Sequence, residues 1–271
     1  MKEIGGGIIV FNAYEFTFAG ESSYQYGLMI YDFGSKSQSD IGFGNKASIV
    51  EARTTARVQP IHFGVNYHQS PLEFKIIFGS QNSLDRYELQ KIALWLTGYS
   101  DYQWLTIDQP DLDHVVFRCL ITSLTPLSYG WLPVAFEATV RCDCSYAYSH
   151  PFTERYEVSG KTSILFRNES TTWEYLKPVI SFVPDPGVTG LTIVNKNDSD
   201  RMFSLSGLPV SDLRVQVDNN GCIIQELNYG YNLYDGFNLN FLRLVRGDNL
   251  LEVTGDGSLT ISGRFLYNVA A

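Results

Sequence analysis

The sequence predicts a mainly β protein in two domains. An N-terminal β-sandwich-like domain with one packed α-helix spans residues 1–150, and a C-terminal β-sandwich of jelly-roll or lectin-like pattern spans 151–271. Three observations predict this. Apolar residues fall in short runs that alternate or are rich in β-branched and aromatic types, cut by turn residues at close intervals. Only one segment combines helical spacing with start and stop signals. The chain also turns polar and irregular from about Tyr146 to Trp173 before the strand pattern resumes, and its 271 residues suit one large or two ordinary domains.

In chain order, Glu15–Phe18 alternates, and so does Leu72–Phe78. The run Asp85–Leu96 is the helix. Ser83 is placed to cap it, Leu89, Ile92 and Leu96 recur along one face, and Gly98 stops it. Val115–Ile121 and Val134–Val140 are β-branched or aromatic. The uncharged stretch Cys119–Phe136 is long enough to raise the question of a membrane span. Pro126, Tyr129-Gly130 and Pro133 break it, so it reads as two strands around a turn, with no membrane insertion. In the second half, turn signals stand at Pro184–Gly187, Asn195–Asp198 and Asp218–Gly221, the last joining a hairpin. Gly247–Asn249 and Gly255–Gly257 precede the final two apolar runs.

Composition excludes several classes. With 44% hydrophobic and 14% aromatic residues the chain has ample surface to bury, so it is not disordered. Lys and Arg number 20 against 29 Asp and Glu, a net charge of −9, which argues against a basic nucleic-acid binder. The four cysteines (Cys119, Cys142, Cys144, Cys222) are too few for a disulfide framework and lack the second pair or His partners of a zinc site; they read as reduced thiols.

Searches for chemistry return no site: no catalytic, cofactor-binding or metal residues are assigned, and no cofactor is expected. Gly160-Lys161-Thr162 ends like a phosphate-binding loop, but Arg155 stands where the first glycine is required. The acidic stretch Asp108–His114 lacks the ligand spacing of a calcium loop. His62, His68, His114 and His150 show no pairing with a nucleophile or carboxylate. Tyr229, Tyr231, Tyr234 and Phe237 cluster in a Gly- and Asn-rich region and suit edge packing, a protein interface or sugar stacking.

Several segments, in order, carry a resemblance. Phe16–Ser23 leads into Tyr26-Gly27-Leu28-Met29-Ile30. A strand, helix and strand follow at Leu72–Phe78, Asp85–Leu96 and Trp104–Ile107. Phe136–Cys142 precedes Ser145-Tyr146-Ala147-Tyr148-Ser149. Near the end come Leu242-Arg243-Leu244, Gly247-Asp248-Asn249 and Val253-Thr254-Gly255. This order resembles the distal tail protein (Dit) family of long-tailed phages that infect Gram-positive bacteria, with Arg246 where that family usually has Pro. The resemblance implies a galectin-like C-terminal sandwich and an N-terminal domain that forms a homo-hexameric ring, single or stacked in two. Such a ring would join the major tail (tube) protein to a tail-tip protein and to receptor-binding or baseplate proteins at the tail tip of the virion, after assembly in the host cytoplasm. It would let DNA pass without specific nucleic-acid binding, and it would not be an enzyme. The alternative is a carbohydrate-binding protein that uses the C-terminal sandwich in host-cell adhesion. The galectin sugar site needs a His, an Asn-Pro-Arg turn and a spaced Trp–Glu pair. Here Trp173 and Glu174 are adjacent and no Asn-Pro-Arg occurs.

Overall fold

A computed structural model describes residues 15–30, 46–55, 57–68, 70–80, 82–110, 112–129, 132–209 and 213–268. The chain forms two compact units, one ending at Tyr148 and the other running from Ser149 to Tyr267.

The first unit contains β1 (Phe16–Phe18), β2 (Glu21–Ser22), β3 (Met29–Ile30), β4 (Lys46–Ala52), β5 (Ile61–His68), β6 (Glu73–Gly79), α1 (Arg86–Thr97), β7 (Gln103–Ile107), β8 (Val115–Tyr129), β9 (Leu132–Cys142) and β10 (Ala147–Ser149). Seven strands make an antiparallel sheet in the order β2-β1-β7-β8-β9-β6-β3, and β10 pairs with β8. The uncharged stretch is the β8–β9 hairpin. Its prolines lie where the hairpin outruns its neighbours: β7 reaches β8 only at Phe117–Cys119 and β6 reaches β9 only at Ala135–Arg141, so Pro126 and Pro133 remove no ladder bond to those strands.

Helix α1 packs against β8. Its cap is Asp85, two residues after the Ser83 expected from the sequence. The Asp85 carboxylate accepts from Glu88 N at 2.8 Å, and Glu88 accepts from Asp85 N at 2.8 Å. This reciprocal pair satisfies two otherwise orphan donors of the first turn, which Ser83 lies too early to reach. Ile92, Trp95 and Leu96 are buried, whereas Leu89 is only partly so. Trp95 is the centre of the packing. Its Nε1–H donates to the Phe18 carbonyl at 3.2 Å, and its ring lies parallel to those of Tyr26 (4.2 Å) and Phe16 (5.7 Å).

The second unit is a sandwich of two antiparallel sheets. It contains β11 (Phe152–Val158), β12 (Lys161–Asn168), β13 (Val179–Pro184), β14 (Gly190–Asn195), β15 (Arg201–Ser206), β16 (Val215–Asp218), β17 (Ile223–Glu226), β18 (Gly247–Thr254) and β19 (Gly257–Gly263). The sheet orders are β11-β19-β13-β16-β17 and β12-β18-β14-β15. Strands β13 and β14 alternate strictly between buried and less buried positions, so their inner residues, Ile180, Phe182, Leu191 and Ile193, join one core with Phe166, Phe203, Leu251, Val253, Leu259 and Ile261. The polar stretch after Tyr146 is mostly strand. Chains β11 and β12 sit at the edges of the two sheets, where few side chains need to be apolar. Between them Gly160 takes φ 59° at the corner where the chain changes sheets, and its N–H donates to Asp256 at 2.8 Å.

Candidate interaction surfaces

Three exposed features stand out. The first is the β4–β5 hairpin. Its register runs Lys46↔His68 to Ala52↔Ile61 with an irregularity at Val50/Glu51, and no third strand joins it among the described residues. Ile49 is 64% exposed, Phe63 65%, and Val50 and Val58 are also open. A two-stranded ribbon is marginal in water, and apolar side chains left open on it mark a surface that can be covered.

The second is the loop after β17. Glu226 is buried, and its carboxylate accepts main-chain N–H bonds from Asn228 (2.8 Å), Tyr229, Arg214 (3.4 Å) and Gly230 (2.8 Å). Burial pushes the Glu226 pKa up, but these donors outweigh it and hold the group below its ordinary value. The turn they fix presents Tyr229 and Tyr231, whose ring centroids are 5.8 Å apart. The tyrosine cluster read from the sequence thus divides. Phe237 is core, whereas Tyr229, Tyr231 and Tyr234 are all exposed, the Tyr234 hydroxyl accepting a bond from Ile224 N at 3.3 Å.

The third lies on the segment that pairs through the Leu176↔Leu244 bridge. Both leucines are buried, and arginines and aromatics flank them. Arg243 stacks on Tyr175 at 4.1 Å from the ring centroid, and Arg246 lies 5.1 Å from that of Trp173. Arg243 is fixed by two bonds to Asp198, 2.7 and 3.1 Å long, and Asp198 is 6% exposed. Hydrogen bonding to Asp198 raises the Arg243 pKa further. Three buried asparagines hold the backbone beneath. Asn168 Nδ2 donates to Leu244 O and Val245 O, Asn195 Nδ2 to Arg243 O and Asn249 Oδ1, and Asn249 Nδ2 to Val245 O and Gly247 O.

Family models match nearly the whole chain. The "Phage tail protein N-terminal domain" matches residues 11–144 and the "Phage tail C-terminal domain" matches 146–263. The chain belongs to this family of phage tail proteins. An SPbeta prophage-derived uncharacterized protein, YomH, of Bacillus subtilis (strain 168) is 22% identical over 204 residues, covering 74% of this chain and 78% of that protein. Among solved structures, the Dit (gp 19.1) protein of phage SPP1, described as a paradigm of the hub adsorption apparatus in Gram-positive infecting phages, shares the fold. Its TM-score is 0.65 at 10% identity, covering 94% of this chain and 100% of that one. A chain of the phage P2 baseplate in its activated conformation with Ca aligns with TM-score 0.52 at 10% identity, over 87% of this chain and 90% of that chain.

The remaining polar residues of this tail protein are placed as follows. His114 lies 3.4 Å from Asp113 on an exposed loop, and His150 is exposed. Among the described residues no group of three or more His, Cys, Asp or Glu is placed to hold a metal ion, and no helix is long and apolar enough to cross a membrane. Cys119 and Cys142 are opposite each other on β8 and β9 and buried. Burial pushes Cys119 up to about 12 and Cys144 up to about 11, so these thiols are protonated and poor nucleophiles at neutral pH. Cys144 also contacts the Tyr148 hydroxyl, which donates to Asp143 at 3.0 Å. Sequence reasoning missed the Arg243–Asp198 pair and the asparagine frame, because their members are up to 77 residues apart.

Proposed function

We propose that this tail protein is the distal tail hub of a long non-contractile tail. Six copies close a ring that joins the tail tube to tip, baseplate and receptor-binding proteins at the tail tip. The first unit makes the ring, the second projects outward as a galectin-like module, and the chain performs no bond chemistry. The observation that supports this reading is the fold shared with the SPP1 Dit chain over 94% of this chain and 100% of that one. The β4–β5 hairpin supports it physically. Ring closure needs two different patches per subunit, and an apolar two-stranded arm that no third strand joins among the described residues suits one such patch. The net charge of −9 suits a channel that DNA must leave.

Electron microscopy of assembled tails tests the reading. Six copies at the tail tip are expected. A trimer, or absence of the chain from the tip, overturns it. Dilute purified protein that runs as a monomer does not, because association carries its own free-energy cost.

A further inference from the structure

We infer that the outer edge of β12 is a dimerisation site, at which a second copy of this chain adds its own β12 antiparallel and joins the two sheets into one. The inference goes beyond the hub reading. A two-fold contact is used up by two copies and cannot propagate around a ring, so it is separate from the ring patches.

The edges of the two sandwich sheets are treated unequally. Edge strand β11 carries Glu154, Arg155 and Glu157. Strand β15 is covered, through the Leu205↔Phe237 bridge, the bond from Asn238 N to Ser204 O at 3.0 Å and the bond from Asn238 Nδ2 to Met202 O at 2.9 Å. Strand β17 is short, and the Tyr234 hydroxyl accepts from Ile224 N. Charge, cover and brevity each stop an edge from recruiting another strand. The middle of β12 has none of these. It runs along β18 for its full eight residues, and Thr162–Phe166 is uncharged, with Lys161 and Arg167 on either side.

The ladder shows which backbone groups of β12 face out. Lys196 N donates to Leu250 O at 2.9 Å, so Leu250 bonds toward β14 and Leu251 toward β12, where its partner is Ile164. Gly255 N donates to Gly160 O at 3.0 Å in the same register. Bonded and unbonded pairs alternate, so Lys161, Ser163, Leu165 and Arg167 direct their N–H and C=O groups away from β18. No main-chain partner meets these groups among the described residues. Their side chains lie on the outer face, where Leu165, 67% exposed, stands opposite Leu250, 39% exposed.

Charge selects the occupant and its register. In an antiparallel joint the outward-bonding residues of one copy meet those of the other. With Leu165 opposite Leu165 of the partner subunit, Ser163 meets Arg167, and Lys161 meets Glu169, the exposed residue that follows β12. Leu250 and Leu165 then line up with their counterparts in one apolar row, and no like charges are opposed. Centring the joint on Ile164 instead opposes Lys161 to Arg167. Shifts beyond this register on either side set Leu165 against Lys161 or Arg167. A single arrangement of two identical strands therefore satisfies the edge, the leucines and the charges together.

The test uses the full chain in sedimentation velocity up to about 0.3 mM, since a contact of this size is weak. A monomer–dimer equilibrium is expected in that range. Ser163→Pro removes an outward N–H, which an edge strand tolerates, and should weaken the dimer at least about tenfold while circular dichroism stays native. Leu165→Cys in a Cys222→Ser background should give a disulfide-linked dimer with glutathione disulfide, because opposed residues of a bonded pair lie about 5.5 Å apart at Cα. Ser163→Cys in the same background should not. Should the proline variant fail to fold, the cysteine pair decides alone. The proposal is overturned if the native chain shows no dimer, if folded Ser163→Pro dimerises as tightly, or if Ser163→Cys cross-links as fast as Leu165→Cys. Hexamers formed alike by native and Ser163→Pro chains belong to the ring, so failure here leaves the hub reading standing.

Discussion

The two units handle apolar surface in opposite ways. In the second, two sheets face each other, and Ile180, Phe182, Leu251, Val253, Leu259 and Ile261 are each fully buried. In the first, a helix covers part of one sheet through Trp95 and Ile92, while Ile49 and Phe63 stand open on a hairpin that pairs with nothing else described. Burial of a large aliphatic or aromatic side chain contributes roughly 1.5–3 kcal/mol. The sandwich gains this within its own chain. Among the described residues, the open side chains of the hairpin gain no such burial.

The contrast is broken or sharpened most by the largest substitutions. Phe182→Ala in the sandwich and Trp95→Ala in the first unit should each cost about 3–5 kcal/mol, read as a fall in the denaturation midpoint. A small loss at Trp95 would show that the helix is not part of the first unit's core. Ile92→Ala, on the same helix face, should cost about 2–5 kcal/mol. An unchanged midpoint would remove that face from the core.

Glu226→Gln should cost about 1–3 kcal/mol, since one oxygen of a buried acceptor becomes a donor facing main-chain N–H groups. The sign of the pH effect follows from the lowered pKa. The stabilisation is present above the unfolded-state value, about 4.3, and is lost as pH falls through the lower folded value. Unfolding curves between pH 7 and pH 3 should therefore converge for native and variant protein, and parallel curves would rule the carboxylate out as the cause. Phe63→Ser should be the smallest in the free chain, within about 0.5 kcal/mol, yet should impair assembly into tails. If it lowers the midpoint as much as Ile92→Ala does, the hairpin is not bare.

Legibility in the sequence followed the same divide. Strands with an inner and an outer face, such as Glu73–Gly79 and Val179–Pro184, carry their burial in their alternation, so the mainly β class was readable. The helix was readable from its apolar spacing, although Trp95, its most connected residue, escaped notice because indole packing depends on which rings meet it across the sheet. Edge strands β11 and β12 looked like a linker, because one-sided burial needs few apolar residues. The arginine–aromatic row could not be read, since Arg243 and Asp198 meet across 45 residues and nothing local marks them.

The asparagine frame gives that row an unusual freedom. The amides of Asn168, Asn195 and Asn249 grip main-chain oxygens, which every residue type provides. Trp173 and Arg246 stand above this scaffold without holding it up. The outer side chains can therefore be exchanged while the backbone beneath keeps its course, and substitutions there leave the architecture intact.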